Sequence, residues 1–286
     1  MFVIAGASGH TGGAAVEALL AQGRKVRVVV RDEAKGAAWR SRGAEVAVAD
    51  LADAAALSAA LAGAQAAYVL VPPQYGAADL IAAQRPIADA LGAAVSRSGI
   101  PHVVLLSSIG AQLAEGNGPI RSLHYAESVL RRAAKGLTLL RAAYFLENWA
   151  PVLDEVRTRG VLPTFLTPGR PVPMVATQDI GRSAAAALVE PIAGQRVIEL
   201  SGPREFTPEA VAAALGARAG RKIELLGLPL DAVEPGLTAA GFPAGTAKLF
   251  REMYDGVNSG RIDWEGGAAI ARRGTLGPAE VLGPML

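Results

Sequence analysis

Phe2-Val3-Ile4-Ala5-Gly6-Ala7-Ser8-Gly9-His10-Thr11-Gly12 opens the chain, and its reading decides the fold. Four apolar residues run into three glycines spaced three apart, and the helix-forming stretch Gly12–Gln22 follows. A strand that turns sharply into a helix explains each glycine. The first permits the turn, the second lets backbone amides approach a ligand, and the third allows the helix to lie close against the strand. Amides at a helix start carry the positive end of the helix dipole and suit a phosphate. In a strand-loop-helix unit of this kind the expected ligand is a dinucleotide pyrophosphate, which makes Gly6, Ser8, Gly9, His10, Thr11 and Gly12 cofactor-binding candidates.

Downstream, apolar runs alternate with stretches of helical period, the pattern of repeated βαβ units. Strands are expected near 2–6, 25–31, 45–49, 67–71, 102–107 and 137–141. Helices are expected over Gly12–Gln22, Ala54–Leu61, Leu80–Ser98 and Ser122–Ala134, with Gly23, Gly63, Gly99 and Gly136 where helices stop. Right-handed crossovers then give an α/β fold with a doubly wound parallel Rossmann sheet that binds ligands at the carboxyl ends of its strands. After Trp149 the prolines at 151, 163, 168, 171 and 173 break the chain into short pieces. The expected organisation is a dinucleotide-binding domain over 1–150, with returning elements near 179–200, and a smaller, non-contiguous C-terminal substrate lobe from 151–178 and 201–286. Asp179–Val189 reads as a helix, Arg196–Leu200 as a strand, and Thr207–Ala219 as a helix with a good start. The tail beyond Arg272 reads as surface.

Composition excludes several classes. At 51% hydrophobic and 19% charged residues, with much of the apolar share alanine, the chain suits helix-to-sheet packing in a soluble protein. Lys plus Arg exceed Asp plus Glu by two, so no nucleic-acid partner is expected. The absence of cysteine excludes disulfides and thiolate chemistry and fits a cytoplasmic location. His10, His102 and His124 share no metal-site spacing, so no metal is expected. No basic leader precedes Phe2, and the uncharged stretch Ala54–Ala78 is broken by Pro72-Pro73, so it reads as helix and strand and no membrane span is expected.

Within the basic stretch from Arg24 to Arg42, Arg31 ends the second strand, where NAD-preferring domains place an acid for the adenosine ribose. A guanidinium there suits a 2′-phosphate, and Lys35 adds a second charge. NADP(H) is therefore expected over NAD(H), with Asp32 as the residue that would serve NAD(H). Asp50 and Leu51 lie beyond the third strand, where Asp50 either reaches the adenine edge or caps a helix. Val71 and Pro72 close the fourth strand against the cofactor cleft, and Tyr75 beyond them is assigned to the substrate side. Ser107 ends the fifth strand as a candidate carbonyl-polarising hydroxyl. Its usual Tyr and Lys partners are missing, because no Tyr in the chain has Lys four residues later. His124 takes that region of the next helix, either donating a proton or touching the nicotinamide ribose, or as a structural histidine. Without that dyad, acceptors that form a stable reduced anion fit better than simple ketones: quinones, cationic dyes or other conjugated molecules.

Taken together, Gly6 to Gly12, Arg31, Ser107-Ser108-Ile109-Gly110-Ala111, His124 with Glu127, and Leu140-Arg141 leading to Tyr144-Phe145-Leu146-Glu147-Asn148 resemble the NmrA-like group of atypical short-chain dehydrogenases/reductases. That group includes NADPH-dependent quinone and triphenylmethane-dye reductases as well as redox-sensing regulators. The resemblance, which covers nearly the whole chain, implies that Tyr144 and Phe145 lie near the nicotinamide, core packing being the alternative. It also implies that Asn148 and the segment from Val175-Ala176 to Asp179-Ile180 shape the substrate side. Two departures stand out: Ala142-Ala143 replaces a proline common after the strand-ending Arg, and His124 precedes Glu127 by three residues where four is frequent. The expected activity is NADPH-dependent reduction of a quinone-like acceptor, by a monomer or homodimer. The alternative is a non-catalytic NADP(H) sensor that meets a protein partner.

Overall fold

The computed structural model describes residues 1–190 and 192–286. β1 (Phe2–Ala5), α1 (His10–Ala21), β2 (Val26–Val30), α2 (Glu33–Arg40), β3 (Glu45–Val48), α3 (Ala54–Leu61), β4 (Ala66–Val69), α4 (Leu80–Ser98), β5 (His102–Ser108), α5 (Arg121–Ala133) and β6 (Gly136–Ala142) alternate strictly. There follow β7 (Tyr144–Phe145), α6 (Leu153–Arg159), β8 (Val161–Thr164), β9 (Val172–Val175), α7 (Thr177–Val189), β10 (Gln195–Ser201) and β11 (Glu205–Phe206). The chain continues through α8 (Pro208–Ala219), β12 (Glu224–Gly227), α9 (Val233–Ala239), α10 (Ala244–Ser259), β13 (Ile270–Arg273) and α11 (Pro278–Leu282).

Eight strands form one sheet in the order β13-β10-β6-β5-β4-β1-β2-β3, every pairing parallel. The chain winds outward in opposite directions from β1 and β4. Their carboxyl ends therefore border the crevice where a doubly wound sheet receives a ligand. β1, β4 and β6 are buried along their whole length because helices cover both faces. On one face Val16 and Leu19 of α1 pack with Ile180 and Ala184 of α7. Leu57 of α3, Leu91 of α4 and Leu130 of α5 fill the other. Gly181 brings α7 close to α1: a Cβ there would lie 2.4 Å from that of Ala14 and 2.6 Å from the Thr11 carbonyl.

Three details differ from the sequence reading. α1 begins at His10, two residues early, which draws the glycine loop into the helix start. Gly23, Gly63 and Gly99 do turn left-handed after their helices, but Gly136 is the first residue of β6, where a Cβ would press to 2.7 Å from the Pro101 carbonyl. The tail is not loose surface. β13 pairs with β10 as the edge of the main sheet, the Thr275 and Leu276 amides donate to the Asp179 carboxylate at 2.8 and 2.9 Å, and Leu282 is fully buried. Asp179, expected on the substrate side, thus anchors the C-terminal segment.

Beside the main sheet stand a three-stranded sheet, β11-β9-β7, and a two-stranded one, β12-β8. They share a separate core that includes Leu146, Trp149, Val156, Leu162, Met174 and Leu215. From this side α10 reaches across the carboxyl ends of β4 and β5. Thr246 on it donates to the Ala77 carbonyl at 3.3 Å, and Gly118 lies so close beneath that a Cβ would come within 2.1 Å of the Leu249 carbonyl. Among the described residues no helix is long and apolar enough to cross a membrane.

Two stability measurements follow from this packing. Gly181→Ala forces α7 off α1 and is expected to lower the unfolding free energy by about 1–3 kcal/mol in denaturant titrations; an unchanged midpoint would contradict the close approach. His102 is buried against Thr138, 2.9 Å away, and burial, with the Arg196 charge second, pushes its imidazole down to about 4. An unfolded histidine titrates near 6.5. The unfolded chain thus binds the proton first, and the stability from neutral His102 is lost as pH falls from about 6.5 toward 4. His102→Gln should flatten the fall in denaturant midpoint between pH 7 and pH 5.

Candidate functional site

Every segment singled out around the cofactor cleft leaves the carboxyl edge of the main sheet, because in a parallel sheet all such loops emerge at one end. At the first of them Gly6 has φ +68°, and a side chain there would strike Leu70. The Gly9 amide donates to the Gly6 carbonyl at 2.9 Å, closing the turn, and a Cβ on Gly12 would fall 2.3 Å from that carbonyl. Gly9 stands at the N-cap of α1 with no side-chain cap and no acidic residue in the first turn. The neighbouring helices α2, α3 and α4 are instead capped by Asp32, Asp53 and Asp79. The positive end of α1 is therefore left open to an anion, as a pyrophosphate site requires. Ser8 and His10 are exposed beside it. The Thr11 hydroxyl turns inward and accepts from buried Tyr68 at 2.9 Å, so only its backbone faces the loop's ligand side. A cleft of about 380 Å³ runs from Ser8 and His10 past Glu17 to Trp39 and Thr177.

The basic stretch divides into paired and unpaired cations. Arg27, Arg40 and Arg42 are bonded to Glu45, Glu33 and Glu17. Among the described residues Arg31 and Lys35 have no acidic partner within 4.0 Å, and both are exposed. Asp32 accepts from the Ala34 amide at 3.0 Å through Oδ1 as the cap of α2, which occupies one of its two carboxylate oxygens. Asp50 accepts from the Ala52 amide at 2.8 Å in a local turn, while Asp53 caps the helix; Leu51 is buried beside it. Val71 is buried, and the Pro72 carbonyl accepts from Gln84 at 3.1 Å.

Ser107 does not present its hydroxyl to a cleft. It is 2% exposed and donates to Glu127 at 2.6 Å, and the same carboxylate receives the Arg141 guanidinium through two bonds of 2.9 and 2.7 Å. A third nitrogen of Arg141 donates to Glu265 at 2.6 Å. In this arrangement the Ser107 proton goes to the buried Glu127 carboxylate rather than into the cleft. His124 is half-buried, with Nδ1 2.9 Å from the Ala111 carbonyl. Nδ1 therefore donates to that carbonyl, and Nε2 is the ring nitrogen left to meet a ligand. Tyr125, also on α5, donates to Asp89 of α4, away from the cleft.

Beyond β6 the site becomes aromatic. Tyr144 and Phe145 form β7 and are both half-buried; Phe145 packs against the main core, and Asn148 is exposed nearby. The Tyr144 hydroxyl is pushed well above its ordinary range by burial first, then by the facing phenol of Tyr254. Burial likewise raises Tyr75 and Tyr254. Tyr75 stacks edge-on against Phe250 at 5.3 Å and lies 6.0 Å from Phe242, while Tyr254 lies 5.3 Å from Phe165. Phe165, Phe242, Phe250 and Tyr254 escaped the sequence reading. Their one signal was Phe250 and Tyr254 four apart, which puts both on one face of a helix.

The switch point, the open start of α1 and the second core at one edge of the sheet define a Rossmann-type α/β protein with an appended smaller lobe. The chain belongs to the NmrA-like family, whose model matches residues 1–272. An NAD(P)H azoreductase of Xenophilus azovorans is 27% identical over 89% of this chain and 86% of its own length. An NADPH-dependent quinone oxidoreductase of Escherichia coli, solved with NADPH, superposes with a TM-score of 0.85 at 23% identity over 100% of this chain and 99% of that one. The Citrobacter sp. triphenylmethane reductase with NADP(H) gives 0.83 at 20% identity, with both chains fully covered.

Glu127→Ala leaves the buried Arg141 charge with only the half-exposed Glu265 as its partner and should cost about 3 kcal/mol of stability, read by chemical denaturation. Ser107→Ala removes one donor and should cost only about 1 kcal/mol, with NADPH oxidation retained. Loss of turnover without loss of stability in Ser107→Ala would instead restore a chemical role to that hydroxyl.

Proposed function

We propose that this protein is a reductase that uses NADPH to reduce a quinone-like or other conjugated acceptor. The observation that carries the reading is the pairing of an uncapped α1 with two exposed cations, Arg31 after β2 and Lys35 in the first turn of α2, that have no acidic partner within 4.0 Å among the described residues. Backbone amides from Gly6, Ser8, Gly9, His10, Thr11 and Gly12 would hold the pyrophosphate. Arg31 and Lys35 would hold the 2′-phosphate, with Asp50 and Leu51 on the adenosine side. Val71, Pro72, His124, Tyr144 and Phe145 would border the nicotinamide half, with Nε2 of His124 facing a ribose hydroxyl. Tyr75 and Asn148 lie toward the acceptor. Bound there, the cofactor supplies a hydride. The protein orients the two reactants and excludes water beneath α10, which suits acceptors whose electrophilic atom belongs to a conjugated system. The relatives named as azoreductase and quinone oxidoreductase support the same class of acceptor.

Purified protein should oxidise NADPH in the presence of quinones, azo dyes or cationic triarylmethane dyes. Charge-assisted bonds to phosphate contribute about 1.5–3 kcal/mol, so Arg31→Ala should raise the KM for NADPH about 10- to 100-fold and leave that for NADH little changed. Equal effects on both cofactors would refute the phosphate-reading role of Arg31. No oxidation with any acceptor would sink the proposed activity.

A further inference from the structure

Among the described residues Tyr75 is the one aromatic ring in the set of large apolar side chains left open to solvent, at 43% exposure. The ring is nonetheless held. It meets Phe250 edge-on at 5.3 Å and Phe242 at 6.0 Å, and those two rings meet each other at 5.9 Å. Tilted and edge contacts of this kind are preferred geometries of aromatic pairs. The backbone beneath is held too. Pro72 and Pro73 fix two φ angles of the loop 70–79, and the Ala77 amide donates to the Gln74 carbonyl at 2.8 Å, closing a turn around Tyr75. Buried Gln84 donates to the Pro72 carbonyl at 3.1 Å on one side of that turn, and buried Thr246 of α10 donates to the Ala77 carbonyl at 3.3 Å on the other. A Cβ on Gly245 would lie 2.9 Å from the Ala78 carbonyl, so the start of α10 rests on the loop. The same loop begins at the cofactor turn. Leu70, its first residue, lies so near Gly6 that a Cβ there would come within 2.6 Å of it, and Tyr68 of β4 donates to Thr11 at 2.9 Å. Tyr75 thus stands five residues beyond the contact with Gly6, in the loop that leaves β4 beside β1, at the crevice where the sheet receives its ligand.

We propose that Tyr75 is the acceptor-recognition residue, its open ring face serving as a platform on which a flat, multi-ring conjugated acceptor stacks; the assignment rests on the reductase reading above. A tyrosine ring offers a large, rigid contact area with only two side-chain torsions. Here Phe242 and Phe250 already fix the ring, so little rotamer freedom is left to lose when an acceptor lies on it. Quinones and diaryl azo compounds are planar and electron-poor, and their overlap with the phenol ring grows with each fused ring. The platform therefore selects by shape. It favours an extended planar acceptor over a single ring, and over a single ring enlarged by bulky alkyl groups, which cannot lie flat. Stacking uses the ring and not the hydroxyl. Thr246 acts through Tyr75, as a positioning residue that keeps the turn in place.

The test compares wild type with Tyr75→Leu and Tyr75→Phe on benzoquinone, di-tert-butyl-benzoquinone, naphthoquinone and phenanthrenequinone. Steady-state NADPH oxidation gives KM for each quinone, and fluorescence titration gives the affinities for NADPH and for phenanthrenequinone without turnover. In wild type KM should fall from the one-ring to the three-ring quinone, with the alkylated ring no better than plain benzoquinone. Tyr75→Leu should raise KM for phenanthrenequinone about 10-fold, change that for benzoquinone by less than about twofold, and leave NADPH affinity unaltered. Tyr75→Phe should behave as wild type. Thr246→Val should raise the phenanthrenequinone KM by a smaller factor with kcat unchanged, and Thr246→Ser should keep the wild-type value; an unchanged KM in Thr246→Val overturns its positioning role. A uniform rise across the four quinones in Tyr75→Leu, no rise, or an equal loss in Tyr75→Phe overturns the assignment while leaving the reductase reading in place. Absence of wild-type turnover on every quinone overturns that reading, and the phenanthrenequinone titration then decides the platform by itself: an affinity unchanged by Tyr75→Leu overturns it as well.

Discussion

The guanidinium of Arg141 is the interaction on which the rest of the site depends. It stands in β6, deep in the sheet, where an unpaired cation would be prohibitively costly. Its charge is met by Glu127 from α5 on one side and by Glu265, from the segment after α10, on the other. That single group therefore fixes the helix carrying His124 and the chain that returns from α10, three residues before Tyr144 begins the aromatic wall. The nearby Gly266 amide donates to Glu199 of β10 at 2.9 Å, a second staple on the same returning segment. The two halves of the cleft are joined through polar bonds in an interior where such bonds are strong and their loss is severe.

Charge is also divided by use. Most arginines near the sheet's carboxyl edge and on the helices have acid partners, so their contribution to a ligand is small. Arg31 and Lys35, unlike Arg27, Arg40 and Arg42, have no acid partner among the described residues, and α1 lacks the aspartate cap that its neighbours carry. Positive potential is thus concentrated where three aspartate caps elsewhere would have neutralised it.

The Rossmann half was legible because its physics is local. Gly6, Gly9 and Gly12 follow an apolar strand, and each later strand is a short apolar run bounded by turn residues. α2 was invisible because Glu33–Arg40 is only eight residues long and mostly exposed, with buried Gly36 at its centre, which weakens any helical period. The hydrogen-bond partner of Ser107 was not legible because position at a strand end says nothing of which carboxylate a distant helix brings to it; Glu127 lies twenty residues on. Phe242, Phe250 and Tyr254 were missed for a similar reason. Their meaning depends on α10 crossing to Tyr75 and Tyr144, contacts separated by more than a hundred residues that no window of sequence displays.

The placement of β13 bears on the order in which the molecule can be assembled. Residues 270–273 close the free edge of β10 (Gln195–Ser201), so that edge keeps its hydrogen-bonding groups unmet until the chain has been made and folded as far as β13. Parallel pairing over such separations is slow, because the entropy of closing the loop precedes any gain from contact. The nascent sheet therefore carries an open, template-like margin until its final strand arrives.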